Sequence, residues 1–171
     1  MDTRNIEPNI THKVLAKMEA AGKLKAVVTQ NIDGLHQKAG SRNVYEIHGT
    51  TLKNYCCDCG RKYPADYIFH KAPVPVCEYC KGIIRPDVVL YGESLPDKAV
   101  NSAVAAILNA DCLIIGGTSL QVYPANTYVS YFRGKHLVVI NKEKLNIQLD
   151  ESDLFIESTL GAVFAEIDKW I

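Results

Sequence analysis

The sequence lacks the excess of positive charge that nucleic-acid and membrane-surface binders carry. Lys+Arg and Asp+Glu each number 19, so the formal net charge is zero, and no electrostatic argument favours non-specific binding to DNA or to a membrane. The sequence has no basic, apolar leader and no apolar stretch long enough to span a bilayer. We therefore expect a cytoplasmic protein without nucleic-acid or membrane partners.

Internal repeats, low-complexity segments and an intact G-x-G-x-x-G are also absent. What is present is a chain of 171 residues, 47% of them hydrophobic. This length and composition suit one ordinary domain, or one domain with a small module, built around a real core rather than a disordered chain.

Four cysteines form two C-x-x-C pairs, Cys56 with Cys59 and Cys77 with Cys80, with seventeen residues between the pairs. This spacing is typical of a four-thiolate zinc site, in which each pair directs two sulfurs at one tetrahedral metal. Four thiolates leave no open position for water, so we predict one structural Zn²⁺ per chain and no metallohydrolase.

The two remaining cysteines do not have this spacing. Cys57 follows Cys56 directly and is interpreted as a spare thiol, whereas Cys112 lies in an apolar strand and is predicted to be core. A reducing compartment favours metal ligands or free thiols over disulfides for all six.

Strand and helix alternate along most of the chain, which predicts a doubly wound parallel, Rossmann-like α/β sheet. The predicted strands are 26–29, 44–47, 88–91, 112–115, 137–140 and 154–156, and the predicted helices are 9–21, 35–39, 97–108, 124–132 and 161–170. Both cysteine pairs and several prolines interrupt this rhythm. We therefore predict a Rossmann-like domain at 1–51 and 87–171, with an inserted zinc-binding module at 52–86.

Three apolar strands end in polar residues, at Gln30-Asn31-Ile32-Asp33, Gly116-Gly117-Thr118-Ser119 and Asn141. Ligands of open parallel sheets bind outside the carboxyl ends of the strands. The glycines would let a ligand approach the backbone, and the hydroxyls suit a ribose or a phosphate. A G-G-T-S turn alone is more often an ordinary strand-to-helix connection, but three such ends together favour a ligand site.

His48 precedes Gly49 at a predicted strand end, where an imidazole could take a proton from a hydroxyl. For Asp33, a turn-forming role before Gly34 is an equal alternative. The other histidines are interpreted as surface or hydrogen-bonded residues, namely His12, His36, His70 and His136.

In combination, these and further motifs resemble the sirtuin family, most closely its bacterial members, from about Pro8 onward. The motifs stand in the family's order and include 29–33, Leu35-His36, Ala39-Gly40, His48-Gly49, both C-x-x-C pairs, Arg85-Pro86, 88–93, 117–120, 122–125 and 139–141. Sirtuins are NAD-dependent protein-lysine deacylases that release nicotinamide and an O-acyl-ADP-ribose.

The resemblance implies a role for each matching residue. Gln30, Asn31 and Asp33 would line the nicotinamide and ribose site, and His48 would be the general base on the ribose hydroxyls. The adenosine half of NAD would be held by Gly117, Thr118, Ser119 and Asn141, with Leu160 near the adenine. An acyl-lysine peptide would add a strand to the segment formed by Val88, Leu90, Tyr91, Gly92 and Glu93.

The sequence departs from the family's pattern in two respects. The family's initial strand, Gly-Ala-Gly-x-Ser turn, Pro-Asp-Phe-Arg stretch and cofactor loop do not occur in it, and Tyr91 stands where Phe is usual. The resemblance therefore implies an N-terminally truncated sirtuin, in which 1–51 and 87–171 form a partial NAD-binding domain with an incomplete sheet and impaired turnover. The alternatives are an inactive, zinc-stabilised module that binds peptides or ADP-ribose and, more distantly, a zinc-ribbon nucleic-acid binder, against which the zero net charge counts.

Overall fold

A computed structural model describes residues 5–69, 73–119 and 125–171. The helices are α1 (Ile10–Ala20), α2 (Leu35–Lys38), α3 (Ala65–Phe69), α4 (Asp97–Leu108), α5 (Ala125–Val129) and α6 (Leu160–Ile167), followed by a 3₁₀ turn at Asp168–Trp170. The strands are β1 (Val27–Thr29), β2 (Val44–Glu46), β3 (Gly49–Cys56), β4 (Lys62–Pro64), β5 (Ile84–Val88), β6 (Cys112–Gly116), β7 (His136–Asn141) and β8 (Leu154–Glu157). Within these ranges, no helix is long and apolar enough to cross a membrane.

Five of the six predicted parallel strands are present, but they lie in two sheets rather than one. β1 pairs with β2, and β6, β7 and β8 form a second parallel sheet with β7 in the centre. One hydrophobic cluster joins the two sheets: Val28 of β1 and Leu113 of β6 both pack against Ile47, Ala103 and Ile107. This cluster includes the apolar face of α4, whose predicted bounds are confirmed.

A second core layer is built by α1 and α6. Asn9 is the N-cap of α1, since its side-chain oxygen accepts a hydrogen bond from the His12 N–H at 3.2 Å. The most buried contacts of this layer join Val14 of α1, Ile140 of β7 and Phe164 of α6. The two helices therefore cover one face of the second parallel sheet.

The segment that holds the cysteine pairs forms a separate antiparallel sheet in the order β4-β3-β5. Its small core consists of Cys56, Tyr63, Cys77 and Ile84. Such a core buries little apolar area, which is why a bound metal would contribute strongly to its stability.

Two predictions of local structure are wrong. The predicted strand 88–91 does not form: β5 ends at Val88, and residues 90–93 make a turn instead. Cys112 is exposed rather than core, because it is the first residue of β6, which pairs only with β7 within the described ranges. The predicted helix 124–132 is shorter, and Pro124, like His70, lies outside the described residues.

Candidate functional site

The four sulfurs predicted to bind zinc lie together. All four Sγ atoms are within 4.8 Å of one another, with 3.4 Å between Cys56 and Cys80 and 3.7 Å between Cys59 and Cys77. Tetrahedral zinc with Zn–S bonds of about 2.3 Å needs sulfur–sulfur distances of about 3.8 Å. The donor set and its geometry therefore fit a structural Zn²⁺, and Cys57 is an exposed thiol outside this set.

The two C-x-x-C pairs adopt the same backbone turn. The residue after each pair has a positive φ, +69° at Gly60 and +66° at Lys81, and its N–H donates to the carbonyl of the first cysteine at 3.0 Å. The hydroxyl of Tyr63 donates to Cys77 Sγ at 3.0 Å, which lowers the pKa of that thiol and favours the thiolate that a metal requires.

His48 lies between β2 and β3 with its backbone and ring both held. Its carbonyl accepts the Val89 N–H at 3.0 Å, and its Nδ1 lies 3.2 Å from the Gln30 carbonyl oxygen. Because a carbonyl oxygen only accepts, Nδ1 carries the proton in the neutral ring, and Nε2 is left with its lone pair. His48 is therefore arranged to take a proton through Nε2.

Gly49 makes this corner possible. Its φ is +75°, and a Cβ at this position would lie 2.0 Å from the Asp87 carbonyl oxygen. β3 and β5 thus approach each other immediately after His48 in a way that only glycine permits.

His48 faces a cavity of about 370 Å³ with the polar residues predicted to join it. The lining residues are Gln30, Asn31, Ile32, Asp33, His48, Val88 and Val89. The Gln30 Nε2 atom is buried and has no hydrogen-bond partner in the described part of the chain. A buried donor of this kind needs an acceptor, which a polar ligand in the cavity would supply.

Asp33 combines both roles that its sequence context suggested. Its Oδ1 accepts the Leu35 N–H at 2.9 Å at the start of α2, and the residue also lines the cavity. The turn-forming role is thus present together with the placement required for a ligand contact.

Three titratable groups interact electrostatically with Asp33, which lines this cavity. The rings of His12 and His36 are 4.6 Å apart, and burial lowers the pKa of both, so both stay neutral at physiological pH. The His12 ring also bonds to Asn9 Oδ1 at 2.8 Å, as expected for a structural histidine. Burial raises the pKa of Glu46, which ends β2 two residues before His48.

A larger cavity of about 1030 Å³ lies at the carboxyl ends of β6 and β7. The predicted adenosine-site residues all line it, namely Gly117, Thr118, Ser119, Asn141 and Leu160. Leu160 begins α6 and fills the space above Gly116, where a Cβ would lie 2.3 Å from its Cδ2. A side chain at position 116 would therefore displace the Leu160 side chain, which lines the cavity wall.

Four further residues of this cavity are not predicted from the sequence. The loop after β7 contributes Lys142 and Lys144, and Ser158 and Thr159 lie at the start of α6. Lys142 and Lys144 outweigh the charge of Glu143 between them, and this positive loop after a polar strand end is a signal for an anionic ligand that could have identified it.

The predicted peptide-binding segment is only partly directed toward the smaller cavity. Val88 lines the cavity, whereas Leu90 is 57% exposed and Tyr91 is fully exposed. The carboxylate of Glu93 is engaged by Arg85, a residue that the sequence analysis did not assign to the site.

Comparison with known proteins gives one consistent result. The Sir2 family model matches residues 1–124. NAD-dependent protein deacetylases of Clostridium perfringens and Clostridium acetobutylicum are 52% and 49% identical to the chain, over 95% and 96% of its length and 67% of theirs. The chain thus spans about two thirds of the length of these relatives.

Solved structures agree with this result. A Sir2 structure with a p53 peptide and NAD⁺ is 36% identical, with a TM-score of 0.87 over 96% of this chain and 70% of the other. A Sir2 structure bound to an acetylated peptide is 34% identical, with a TM-score of 0.90 over 98% and 72%. The motifs, the fold and the similarity over nearly its whole length show that this chain belongs to the Sir2 family, the sirtuins.

Proposed function

We propose that this chain forms the catalytic part of an NAD-dependent protein-lysine deacylase that releases nicotinamide and an O-acyl-ADP-ribose. The observation that carries the proposal is His48, whose Nδ1 is bonded to a carbonyl while its Nε2 remains available to a ligand beside Gln30, Asn31 and Asp33. Relatives that share about half of its residues are named NAD-dependent protein deacetylases, which supports this reading.

Each of the two cavities would bind one half of NAD. Gly117, Ser119, Asn141 and Leu160 would hold the adenosine half in the larger cavity. Gln30, Asn31 and Asp33 would orient the nicotinamide half through amide and carboxylate contacts in the smaller one. When bound, NAD supplies a ribose carbon as the acceptor of the acyl oxygen and nicotinamide as the leaving group.

His48 would act as the general base. A ribose hydroxyl within hydrogen-bond reach of Nε2 would give up its proton to the imidazole, and the Gln30 carbonyl would stabilise the resulting imidazolium through Nδ1–H. Val88 and Val89 would exclude water from one side of the reacting atoms.

The remaining assignments belong to the same proposal. Residues 52–86 would form a zinc module whose metal is structural, since four thiolates leave no open coordination position. An acyl-lysine peptide would pair with the segment 88–93, and the protein would act in the cytoplasm.

The test is NAD-dependent nicotinamide release in the presence of an acetyl-lysine peptide. The 171-residue chain is assayed beside a longer chain to which the unmatched third of the Clostridium perfringens relative is fused. In the more active of the two, His48→Ala should lower turnover at least about a hundredfold, the lower end of the range for a general base. Its melting temperature should stay close to that of the unsubstituted chain.

The matched control is His136→Ala, which removes an exposed imidazole at the start of β7. It should leave turnover unchanged. Substantial turnover after His48→Ala would refute the general-base assignment. Binding of NAD and peptide without nicotinamide release by either chain would favour a binding module instead.

A further inference from the structure

The segment 88–93 ends in a tight turn that displays apolar side chains. The Glu93 N–H donates to the Leu90 carbonyl at 3.0 Å, and Gly92 has φ +86°, as the third residue of a type II turn requires. Tyr91 at the turn's second position is fully exposed, and Leu90 is 57% exposed. The turn needs support, because these two side chains contribute little packing.

Arg85 and Glu93 supply that support. Arg85 Nη1 bonds Glu93 Oε1 at 2.5 Å and Nη2 bonds Oε2 at 2.9 Å, a bidentate pair across the base of the turn. Arg85 Nη2 also donates to the Val88 carbonyl at 2.8 Å, and Glu93 Oε2 accepts the Leu90 N–H at 2.9 Å. The pair thus binds the backbone of the segment on both sides of Val89.

The pair, the turn and His48 together engage four backbone groups of the segment. The Val88 carbonyl and the Leu90 N–H bond to the pair, the Leu90 carbonyl accepts from Glu93, and the Val89 N–H donates to His48. In the described part of the chain, the Val89 carbonyl and the Tyr91 N–H have no partner. An acceptor and a donor two residues apart are the groups that an added extended peptide uses.

We propose that Arg85 and Glu93 are positioning residues for the peptide substrate, which hold the segment 88–93 so that Val89 and Tyr91 present their backbone groups to it. This inference rests on the proposed deacylase function. Glu93 would then act through the turn instead of contacting the peptide. Arg85 belongs to β5, which pairs with β3 in the β4-β3-β5 sheet. The position of the segment 88–93 therefore depends on that sheet.

The solvent exposure of Arg85 and Glu93 indicates that the pair matters more for peptide binding than for the stability of the fold. The side chains of Arg85 and Glu93 are 25% and 39% exposed. Ion pairs this accessible to water contribute modestly to stability, although a bidentate Arg–carboxylate pair contributes more than most. Loss of the pair should therefore change peptide binding far more than folding. Arg85 holds the pKa of Glu93 down at about 2, so the pair stays intact through the neutral range.

The experiment compares Glu93→Gln, Arg85→Gln and the exchanged double variant Arg85→Glu/Glu93→Arg. We measure the KM for an acetyl-lysine peptide, the KM for NAD, kcat, zinc content and melting temperature. A labelled acetyl-lysine peptide provides a separate dissociation constant. The control, Glu166→Gln, breaks an exposed ion pair with Lys169 far from the segment.

Each single substitution should raise the peptide KM and the peptide dissociation constant about tenfold, within the range that misplacement of about 1 Å causes. The KM for NAD, the zinc content and the melting temperature should not change. The exchanged pair should recover part of the lost peptide affinity, and Glu166→Gln should change none of these quantities.

An unchanged peptide KM in both single variants would overturn the proposal. An equal rise in the KM for NAD, or loss of zinc, would do the same, because either result indicates a general structural role. If the unsubstituted protein binds the peptide without turnover, the deacylase function fails while the binding constants still test the pair. If it binds no peptide, the proposal is wrong.

Discussion

Replacing Gly49 with alanine should damage the fold and the candidate site together. Gly49 follows His48 and pairs with Val88 across the β3–β5 ladder. Its φ of +75° is unfavourable for alanine, and the new Cβ would lie 2.0 Å from the Asp87 carbonyl oxygen and 3.1 Å from Val88 Cα. These atoms belong to the backbone, so no side-chain rotation can relieve the contact.

The expected cost has two parts. A left-handed φ costs an L-residue about 1–2 kcal/mol. Since side-chain Cβ atoms do not approach other atoms closer than 3.0 Å, the Asp87 carbonyl must also move by at least about 1 Å, which weakens one or two ladder hydrogen bonds worth about 1 kcal/mol each. We therefore expect a loss of about 3 kcal/mol, or about 6–12 °C in melting temperature for a chain of this size.

Gly22→Ala is the matched control, because Gly22 has φ +72° but no atom within 4 Å of its would-be Cβ. Urea unfolding should show about 1–2 kcal/mol lost at Gly22, the left-handed φ cost alone, and about 3 kcal/mol at Gly49. Turnover should fall only in Gly49→Ala, because Val88 and His48 line the same cavity. Equal losses of stability in the two variants would refute the argument that a backbone contact closes this corner.

Two further predictions concern the metal and a buried carboxyl. Cys80→Ser should lose zinc by elemental analysis and destabilise the β4-β3-β5 sheet, whereas Cys57→Ser should retain one zinc per chain; full zinc content in Cys80→Ser would contradict the ligand set. Burial raises the pKa of Glu46, so its carboxyl is protonated and neutral in the folded protein at low pH. As the pH rises through that raised pKa, the carboxyl becomes charged while buried, and the folded state loses stability relative to the unfolded state. The stability of Glu46→Gln in urea, relative to that of the unsubstituted protein, should therefore increase as the pH rises above about 4.3, the ordinary pKa of a glutamate, and a difference independent of pH would contradict this.

Local sequence signals were sufficient where neighbouring residues determine the structure. The spacing of the cysteine pairs is enough to predict the four clustered thiols, because each C-x-x-C turn places its own two sulfurs. The bounds of α4 follow likewise from residues within a few positions of each other. The polar strand ends predict the two cavities, because parallel strands bring their carboxyl ends to one edge.

Tertiary contacts decided what those signals could not. The apolar residues at 88–91 favour a strand, but the chain turns at 90–93, where Arg85 and Glu93 pair across the base of the turn, eight residues apart. Cys112 has an apolar context and is nevertheless exposed, because its burial depends on which strands flank β6. Likewise, Asp87 is the reason that position 49 must be glycine. In each case, the deciding partner is a residue or strand that the local pattern does not contain, so only the folded chain reveals it.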